Sequence, residues 1–417
     1  MKIVMATRAV FPYHGYGGMQ LYIYNLAKHM VANGHKVEIV TSYMGKKEIF
    51  SENYEGITYT FIPVKTSEMH NDNTLNKVKK QKGLVQKIRE KVPPAVLAPI
   101  AFLPTIGFLL LDTYRFRKFS KELSKYLSDK EFDILHFYDL AGYHYTRSSN
   151  AKPTVMQTFG NESFFDTRAA DYIGYSWFRQ LVKTCFKKSA VVGTCGDINA
   201  ADIIKISAIP KQKIKMMQNG IDFQKIPKET KQKCRQELGL ELNQKIFVTV
   251  NRLSPDKHVD RIIKGFHEAK IKNSMLICIG GGIEEQKLIA LSQKISANVK
   301  FLKGLSDETL YKYLKASDAF INAADTRYLL LTVLESMACG LPIISTFPME
   351  DSVDESNGII THGNDEHSIA KAINALPKDL HKLSIESRKR AQQFAWSQVA
   401  KEDLKIYEQI IEFERKT

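Results

Sequence analysis

Arg252 and Lys257 flank the tetrapeptide Leu-Ser-Pro-Asp directly after the apolar run 245–250. At the carboxyl end of a parallel strand, a guanidinium fork and an ammonium point charge at this spacing can clamp a diphosphate. Two solvated loop cations would give the same pattern. Glu335 stands inside Leu-Leu-Leu-Thr-Val-Leu-Glu-Ser-Met-Ala, residues 329–338. A carboxylate in so apolar a stretch is costly unless it finds hydrogen bonds. The hydroxyl pair of a ribose would supply them, and so would a neighbouring lysine. Gly15-Tyr16-Gly17-Gly18 lies between an apolar run and a helical pattern. Glycines there let backbone N–H groups approach an anion at a helix N-terminus. A plain tight turn needs glycines as well.

The elements that must hold these residues alternate between strands and helices, in two successive halves. The first half opens with a strand at 2–6, then the glycine loop. Its helix carries Met19, Tyr22, Ile23, Leu26, Ala27 and Met30, the spacing of one packed face. Asn33-Gly34 ends that helix. Short apolar strands follow at 36–41, 133–137, 154–158 and 190–194. The second half restarts with a strand at 245–250 and a helix from His258 with Val259, Ile262, Ile263 and Phe266 on one face. A strand at 275–279 runs into Gly280-Gly281-Gly282. A strand at 319–322, a helix at 329–338 stopped by Cys339-Gly340, and a strand at 342–345 complete the pattern. The final segment, 397–415, reads as a long amphipathic helix. The fold class is α/β with two parallel-sheet domains, joined between 200 and 244 where polar and lysine-rich residues accumulate.

With 417 residues, two or three domains are expected. Hydrophobic content of 44% and charged content of 25% exclude disorder, collagen and coiled coil as descriptions of the whole chain. Five scattered cysteines form no CxxC, which argues against a disulfide framework or a zinc site and for a reducing cytoplasm. The apolar run at the amino terminus is too short for a signal-peptide core.

The net charge of +15 points to an acidic partner. About half of the excess lies between Lys65 and Lys125, which hold 13 Lys/Arg against 5 Asp/Glu. Within that segment, residues 92–111 carry no charge over 20 positions. The length would span a bilayer by count, but Pro93, Pro94, Pro99, Pro104 and Gly107 break regular helix. An apolar run between basic flanks suits the surface of an anionic membrane. A hairpin buried in the first domain is the other reading. Nucleic-acid binding ranks low, because the cations surround an apolar run and not an aromatic-interleaved patch. A nicotinamide-dependent dehydrogenase would explain the first glycine loop but not Arg252, Lys257 and Glu335.

Several stretches together resemble a known family. Residues 250–257 (Val-Asn-Arg-Leu-Ser-Pro-Asp-Lys) resemble its donor-phosphate loop, and 334–342 (Leu-Glu-Ser-Met-Ala-Cys-Gly-Leu-Pro) its nucleotide-binding helix and following turn. Gly17-Gly18-Met19, Asp133-Ile134-Leu135-His136, Asn219-Gly220-Ile221-Asp222 and Phe394-Ala395-Trp396-Ser397 match in the same order. The family is the retaining, nucleotide-sugar-dependent glycosyltransferases of the GT-B fold, in the group called family 4. The resemblance implies two Rossmann-like domains facing across a cleft. Residues 1–205 would form the acceptor domain, 206–395 the donor domain, and 396–417 a helix crossing back to the first domain.

By residue, it implies a diphosphate clamp at Arg252 and Lys257, a ribose-holding acid at Glu335, and donor contacts at Gly17, Gly18, Gly281 and Thr332. It implies neither cofactor nor metal, since cations and helix dipoles can stabilise the leaving diphosphate. The nucleotide sugar is a co-substrate. The basic segment then suggests a lipid-linked acceptor and a peripheral location on the inner face of the cell membrane. Two positions depart from the family pattern. Eight before Glu335 the family has a sugar-contacting acid; here Arg327 stands there, and Asp325 takes the role if the turn is lengthened. Where relatives have a histidine near the reacting carbon, this chain has Phe159, with His136, His144 or Glu162 as compensating groups on the acceptor side. These departures sustain an alternative, a non-catalytic sugar-nucleotide-binding protein that partners an active transferase.

Overall fold

The structure is a computed structural model that describes residues 1–14, 18–43, 48–64, 114–159, 173–324, 330–347, 349 and 352–416. The chain divides into two compact units. Unit 1 comprises Met1–Thr194, Asn199–Met217 and Asp403–Thr417, and unit 2 comprises Cys195–Ile198 and Gln218–Glu402. The boundary expected after residue 205 falls inside unit 1, because a further strand at Ile214–Met216 joins the first sheet.

Unit 1 is built on an eight-stranded sheet. Its strands are β1 (Lys2–Ala6), β2 (Lys36–Tyr43), β3 (Phe50–Tyr54), β4 (Ile57–Pro63), β5 (Ile134–Tyr138), β6 (Thr154–Gln157), β7 (Val191–Thr194) and β8 (Ile214–Met216), in the order β3-β4-β2-β1-β5-β6-β7-β8. All pairs are parallel except β3–β4. The interior strands are apolar nearly throughout because both faces are covered. Helices α1 (Gly18–Ala32), α2 (residues 114–128), α3 (Ile173–Lys188) and α4 (Asp197–Ser207) accompany the sheet. One face packs Val4, Ala6, Leu135 and Phe137 against Phe116, Phe119, Leu123 and Leu127 of α2.

Unit 2 has a six-stranded, wholly parallel sheet. Its strands are β9 (Lys245–Val250), β10 (Ser274–Ile279), β11 (Val299–Leu302), β12 (Ala319–Asn322), β13 (Ile343–Ser345) and β14 (Gly358–Ile360), ordered β11-β10-β9-β12-β13-β14. Its helices are α5 (Lys231–Glu237), α6 (Val259–Ala269), α7 (Glu285–Lys294), α8 (Asp307–Ala316), α9 (Leu331–Ala338), α10 (Glu366–Ala375) and α11 (His381–Gln392). Strand alternation sorts the core into two layers. Val248, Ile277 and Phe320 pack with Val333, Leu334 and Met337 of α9. Phe247, Leu276 and Ile321 pack on the other face with Ile262, Ile263 and Phe266 of α6. The last helix, α12 (Trp396–Lys416), starts in unit 2 and ends in unit 1. All five cysteines are free and buried.

The strand orders locate the sites. In sheet 2 the chain runs outward from β9 through β10 to β11, then returns to β12 on the other side of β9. In sheet 1 the same reversal falls between β1 and β5. Loops leaving the carboxyl ends at such a point diverge to opposite faces and leave a crevice for ligand.

Candidate functional site

Arg252 and Lys257 sit on the loop leaving β9, at the reversal point of sheet 2. The backbone continues in parallel register past the strand. Asn251 N–H donates to Ile279 O at 3.0 Å and Leu253 N–H to Gly281 O at 3.0 Å. This close run explains the glycine triplet. A Cβ at Gly280 would lie 1.9 Å from Asn251 O, and one at Gly282 would lie 2.2 Å from Leu253 O. Gly281, expected among the donor contacts, has room for a side chain; Glu285 Oε2 is 3.7 Å from its built Cβ.

The loop then tightens into a 3-10 turn at Pro255–Lys257. Ser254 Oγ donates to Asp256 Oδ1 at 2.6 Å, and Lys257 Nζ pairs with Asp256 Oδ2 at 3.1 Å. Burial works against the charged Asp256 carboxylate, but Ser254 and Lys257 together outweigh it and hold its pKa below the ordinary value. Lys257 is thereby fixed, with its side chain 15% exposed. Arg252 is exposed and makes no ion pair among the described residues.

Across the reversal point, α9 follows β12. Its N-cap, Leu330, offers no side-chain cap, and its first turn holds no acid. The Leu331 and Thr332 N–H groups therefore present the positive end of the helix dipole with no acid in the turn itself, while those of Val333 and Leu334 donate to Leu330 O at 3.1 and 3.0 Å. Glu335 lies one turn further on. Tyr311 of α8 donates its hydroxyl to Glu335 Oε1 at 3.2 Å. Burial is the main cause that raises the Glu335 pKa to about 7; Tyr311 opposes it, Asp307 adds to it and Lys225 opposes it. The lysine that might have neutralised Glu335 is engaged elsewhere, since Lys225 Nζ pairs with Asp307 Oδ2 at 2.9 Å. Glu335 has no ion-pair partner among the described residues.

Three residues missed in the sequence join this edge. Asn322 ends β12 fully buried, with both amide atoms unpartnered among the described residues. Thr346, just past β13, has a buried hydroxyl with no partner among the described residues, and its N–H donates to Asn322 O at 3.1 Å. Orphaned buried polar groups are costly and mark a place where a ligand or water completes the bonding. Asn322 carried a signal, a polar residue closing an all-apolar strand. Tyr311 carried none, because its meeting with Glu335 depends on how two helices pack.

The other residues expected from the sequence lie in unit 1 or outside the described residues. Gly18 opens α1 with open space around it. Gly17, Glu162, Asp325, Arg327 and the apolar run 92–111 lie outside the described residues. His136, expected on the acceptor side, is instead a core group. It is wholly buried, stacks on Tyr138 with centroids 4.6 Å apart, and bonds through Nδ1 to the Tyr407 hydroxyl of α12. Burial lowers its pKa to about 3, so the ring stays neutral. Phe159 lies in an aromatic cluster, 4.8 Å from the Tyr22 ring edge-to-face and stacked on Tyr138 at 5.8 Å. His144 is half-buried on the loop after β5.

Comparison with known proteins agrees with this architecture. The family described as Glycosyltransferase Family 4 matches residues 16–225, and Glycosyl transferases group 1 matches residues 230–395. The chain belongs to these group 1, family-4-like glycosyltransferases and has the GT-B fold. An uncharacterized glycosyltransferase of Methanocaldococcus jannaschii is 22% identical over 98% of both chains. The alpha-monoglucosyldiacylglycerol synthase of Streptococcus pneumoniae is 25% identical over 65% of each. Among solved structures, sucrose-phosphate synthase from Thermosynechococcus elongatus superposes with a TM-score of 0.74 at 17% identity, covering 98% of both chains. Anabaena HepE in complex with UDP and glucose does so with a TM-score of 0.67 at 16% identity, covering 98% of this chain and 100% of that one.

Proposed function

We propose that this glycosyltransferase moves a sugar from a nucleoside diphosphate sugar to an amphipathic, membrane-linked acceptor with retention of anomeric configuration. The observation that carries the donor half is the placement, on the elements that leave β9 and β12 at the reversal point of sheet 2, of Arg252, Lys257, the uncapped start of α9 and the half-buried acid Glu335. HepE, solved with UDP and glucose, and a starch synthase solved with ADP support a nucleotide donor. Glu335 holds the ribose hydroxyls. Arg252, Lys257 and the α9 dipole take up the negative charge that grows on the diphosphate as the sugar bond breaks. The chain's own cations supply this stabilisation in our reading, without a metal ion. Asp325 would contact the transferred sugar.

A screen of UDP-, GDP- and ADP-sugars by thermal shift tests this half. The true donor at 100 times its Kd should add about 2.7 kcal/mol of stability. No stabilisation by any of the three would overturn it. Should a donor bind and no transfer follow, the non-catalytic reading gains, with Phe159 as the reason: a phenyl ring can neither donate nor accept a proton.

The acceptor half rests on the charge pattern around residues 92–111 and on relatives named as glycolipid and polyprenol-linked sugar synthases. Among the described residues no helix is long and apolar enough to cross a membrane. The proposed location is peripheral, on the cytoplasmic face. Each Lys or Arg near an anionic surface contributes about 1 kcal/mol, and salt screens this attraction. Vesicle flotation should show binding to anionic vesicles, weaker binding to neutral ones, partial release by high salt, and loss of the salt-resistant remainder when 92–111 is deleted. Absence from both vesicle types would sink the proposal, and resistance to both salt and alkaline carbonate would indicate a span instead.

A further inference from the structure

The outer edge of sheet 1 carries a row of aromatic side chains. Strand β3 closes that edge, and its last four residues are exposed. Alternation places Phe50, Glu52 and Tyr54 on one face, opposite Phe61, Tyr59 and Ile57 of β4 in register. Phe50 stacks on Phe61 with centroids 4.7 Å apart and planes 15° from parallel. Tyr43, at the end of β2, meets Phe50 and Phe61 edge-to-face at 5.2 and 5.7 Å. Tyr13, on the loop leaving β1, stands edge-to-face with Tyr59 and Phe61 at 5.0 and 4.8 Å and donates its hydroxyl to Glu52 Oε2 at 3.3 Å. Tyr54 lies 6.5 Å from Tyr59 and 6.3 Å from Tyr24 of α1. The inner rings, Tyr59 and Phe61, are buried, whereas Tyr13 and Tyr54 are 38% and 37% exposed.

An exposed aromatic row on a sheet edge is either an aggregation liability or a contact surface. The chemistry of this row selects its partner. The negative face of an aromatic ring attracts the C–H groups of a sugar ring. Glu52 forms no ion pair among the described residues, and its carboxylate accepts hydrogen bonds from neighbouring hydroxyls. The row contributes a carboxylate and no cation, which disfavours a phosphate or an anionic lipid surface. We propose that Tyr13, Tyr43, Phe50, Glu52 and Tyr54 form a carbohydrate-binding surface for an uncharged oligosaccharide portion of the acceptor. The site rests on the reading that this chain glycosylates an amphipathic acceptor, and it names the polar part of that acceptor. Strand β3 stands three strands from β1, roughly 14 Å from the reversal point of sheet 1 at the spacing of a sheet. The surface therefore holds sugars remote from the reacting one. From Phe50 to Tyr54 it runs roughly 13 Å, which suits several linked rings better than a monosaccharide.

Calorimetry of the full chain with four neutral probes, maltohexaose, cellohexaose, chitohexaose and a linear mannohexaose, tests the surface. At least one should bind saturably and more tightly than its monosaccharide. Tyr13→Ala/Tyr54→Ala should lower that affinity about tenfold or more, as expected for the loss of two ring contacts. Tyr13 also packs on Tyr59 and Phe61, so thermal unfolding checks that the double variant keeps its fold. Glu52→Gln, an exposed and nearly isosteric change, should also lower the affinity and keeps the test decisive should the double variant unfold. Arg252→Ala/Lys257→Ala should bind the hexasaccharide as the wild type does. Absence of saturable binding by all four probes, or equal affinity in Glu52→Gln and in a folded double variant, would overturn the surface. Concentration-dependent dimerisation in ultracentrifugation that Glu52→Gln or the double variant abolishes would overturn it too, and would assign the row to a second copy of this chain. No nucleotide sugar, vesicle or transfer enters the measurement, so its outcome is separate from those of the donor screen and of vesicle flotation.

Discussion

Replacing Lys257 with alanine is expected to weaken nucleoside diphosphate binding more than replacing Arg252, with both losses in the range of about 2–5 kcal/mol. The order follows from the environment of each cation. Arg252 is exposed, so water screens part of its attraction. Lys257 is largely buried and also neutralises Asp256 at 3.1 Å. Its removal would leave the Asp256 carboxylate beside the incoming phosphates, which adds repulsion to the lost attraction. Neither side chain belongs to a core layer, so thermal unfolding of the ligand-free variants should match the wild type. Calorimetry that finds unchanged affinity in both variants would remove the clamp.

The second large effect concerns stability. Arg235 is 4% exposed and carries its charge inside unit 2. Its Nη2 pairs with Asp318 Oδ2 at 2.8 Å, and its other nitrogens donate to the carbonyls of Ala316, Leu242 and Gln244 at 2.8, 2.6 and 2.9 Å. Asp318 also accepts from Ile246 N–H at 2.7 Å and pairs with Lys231 at 2.9 Å, tying α5 to the starts of β9 and β12. Removing one partner of a buried pair typically costs 3–5 kcal/mol. Asp318→Ala should cost about 3 kcal/mol, the lower end, because the carbonyls still solvate Arg235. Urea unfolding of unit 2 measures this, and a loss below about 1 kcal/mol would show that the pair is only a surface-like contact. The pH dependence has a definite sign. Burial alone would raise the Asp318 pKa, but Lys231, the Ile246 N–H and Arg235 outweigh it and hold it below the ordinary value. The stabilisation is therefore present above the unfolded pKa and is lost as pH falls through the folded one. Acid unfolding should be less steep in Asp318→Asn.

The nine strands legible in the sequence are all interior to the two sheets, and every strand that was missed but one is an edge. Strands β3, β8, β11 and β14 close the four edges. Interior strands such as β9 are buried on both faces and read as apolar runs. An edge strand such as β3, whose last four residues are exposed, carries no such pattern. The fifth missed strand, β4, alternates threonine with larger residues and follows the two-residue turn Glu55-Gly56, both at positive φ, so its hairpin with β3 was open to reading. Of the candidate site, Arg252, Lys257 and Glu335 stand out in the sequence because a charge in or beside an apolar run is anomalous locally. His136 had the same local signal and a different fate, because only the fold reveals that Tyr407 of the last helix covers it. Asp318 and Arg235 are 83 positions apart and Tyr311 and Glu335 are 24 apart; no local pattern announces such pairs.

The central claim is that Glu335 holds the ribose of a nucleotide bound at the reversal point of sheet 2. Calorimetry of the wild type and Glu335→Gln, each with the preferred nucleoside diphosphate and its 2′,3′-dideoxy counterpart, tests it most directly. Hydrogen bonds to a charged acceptor contribute about 1.5–3 kcal/mol each. The wild type should therefore prefer the ribose form by at least about 1.5 kcal/mol, and Glu335→Gln should lose most of that preference. Because the free carboxyl titrates near 7, wild-type affinity for the ribose form should also fall as pH drops below that value, while the dideoxy form stays level. Equal affinity of the wild type for both nucleotides, or an equal loss for both in Glu335→Gln, would contradict the account.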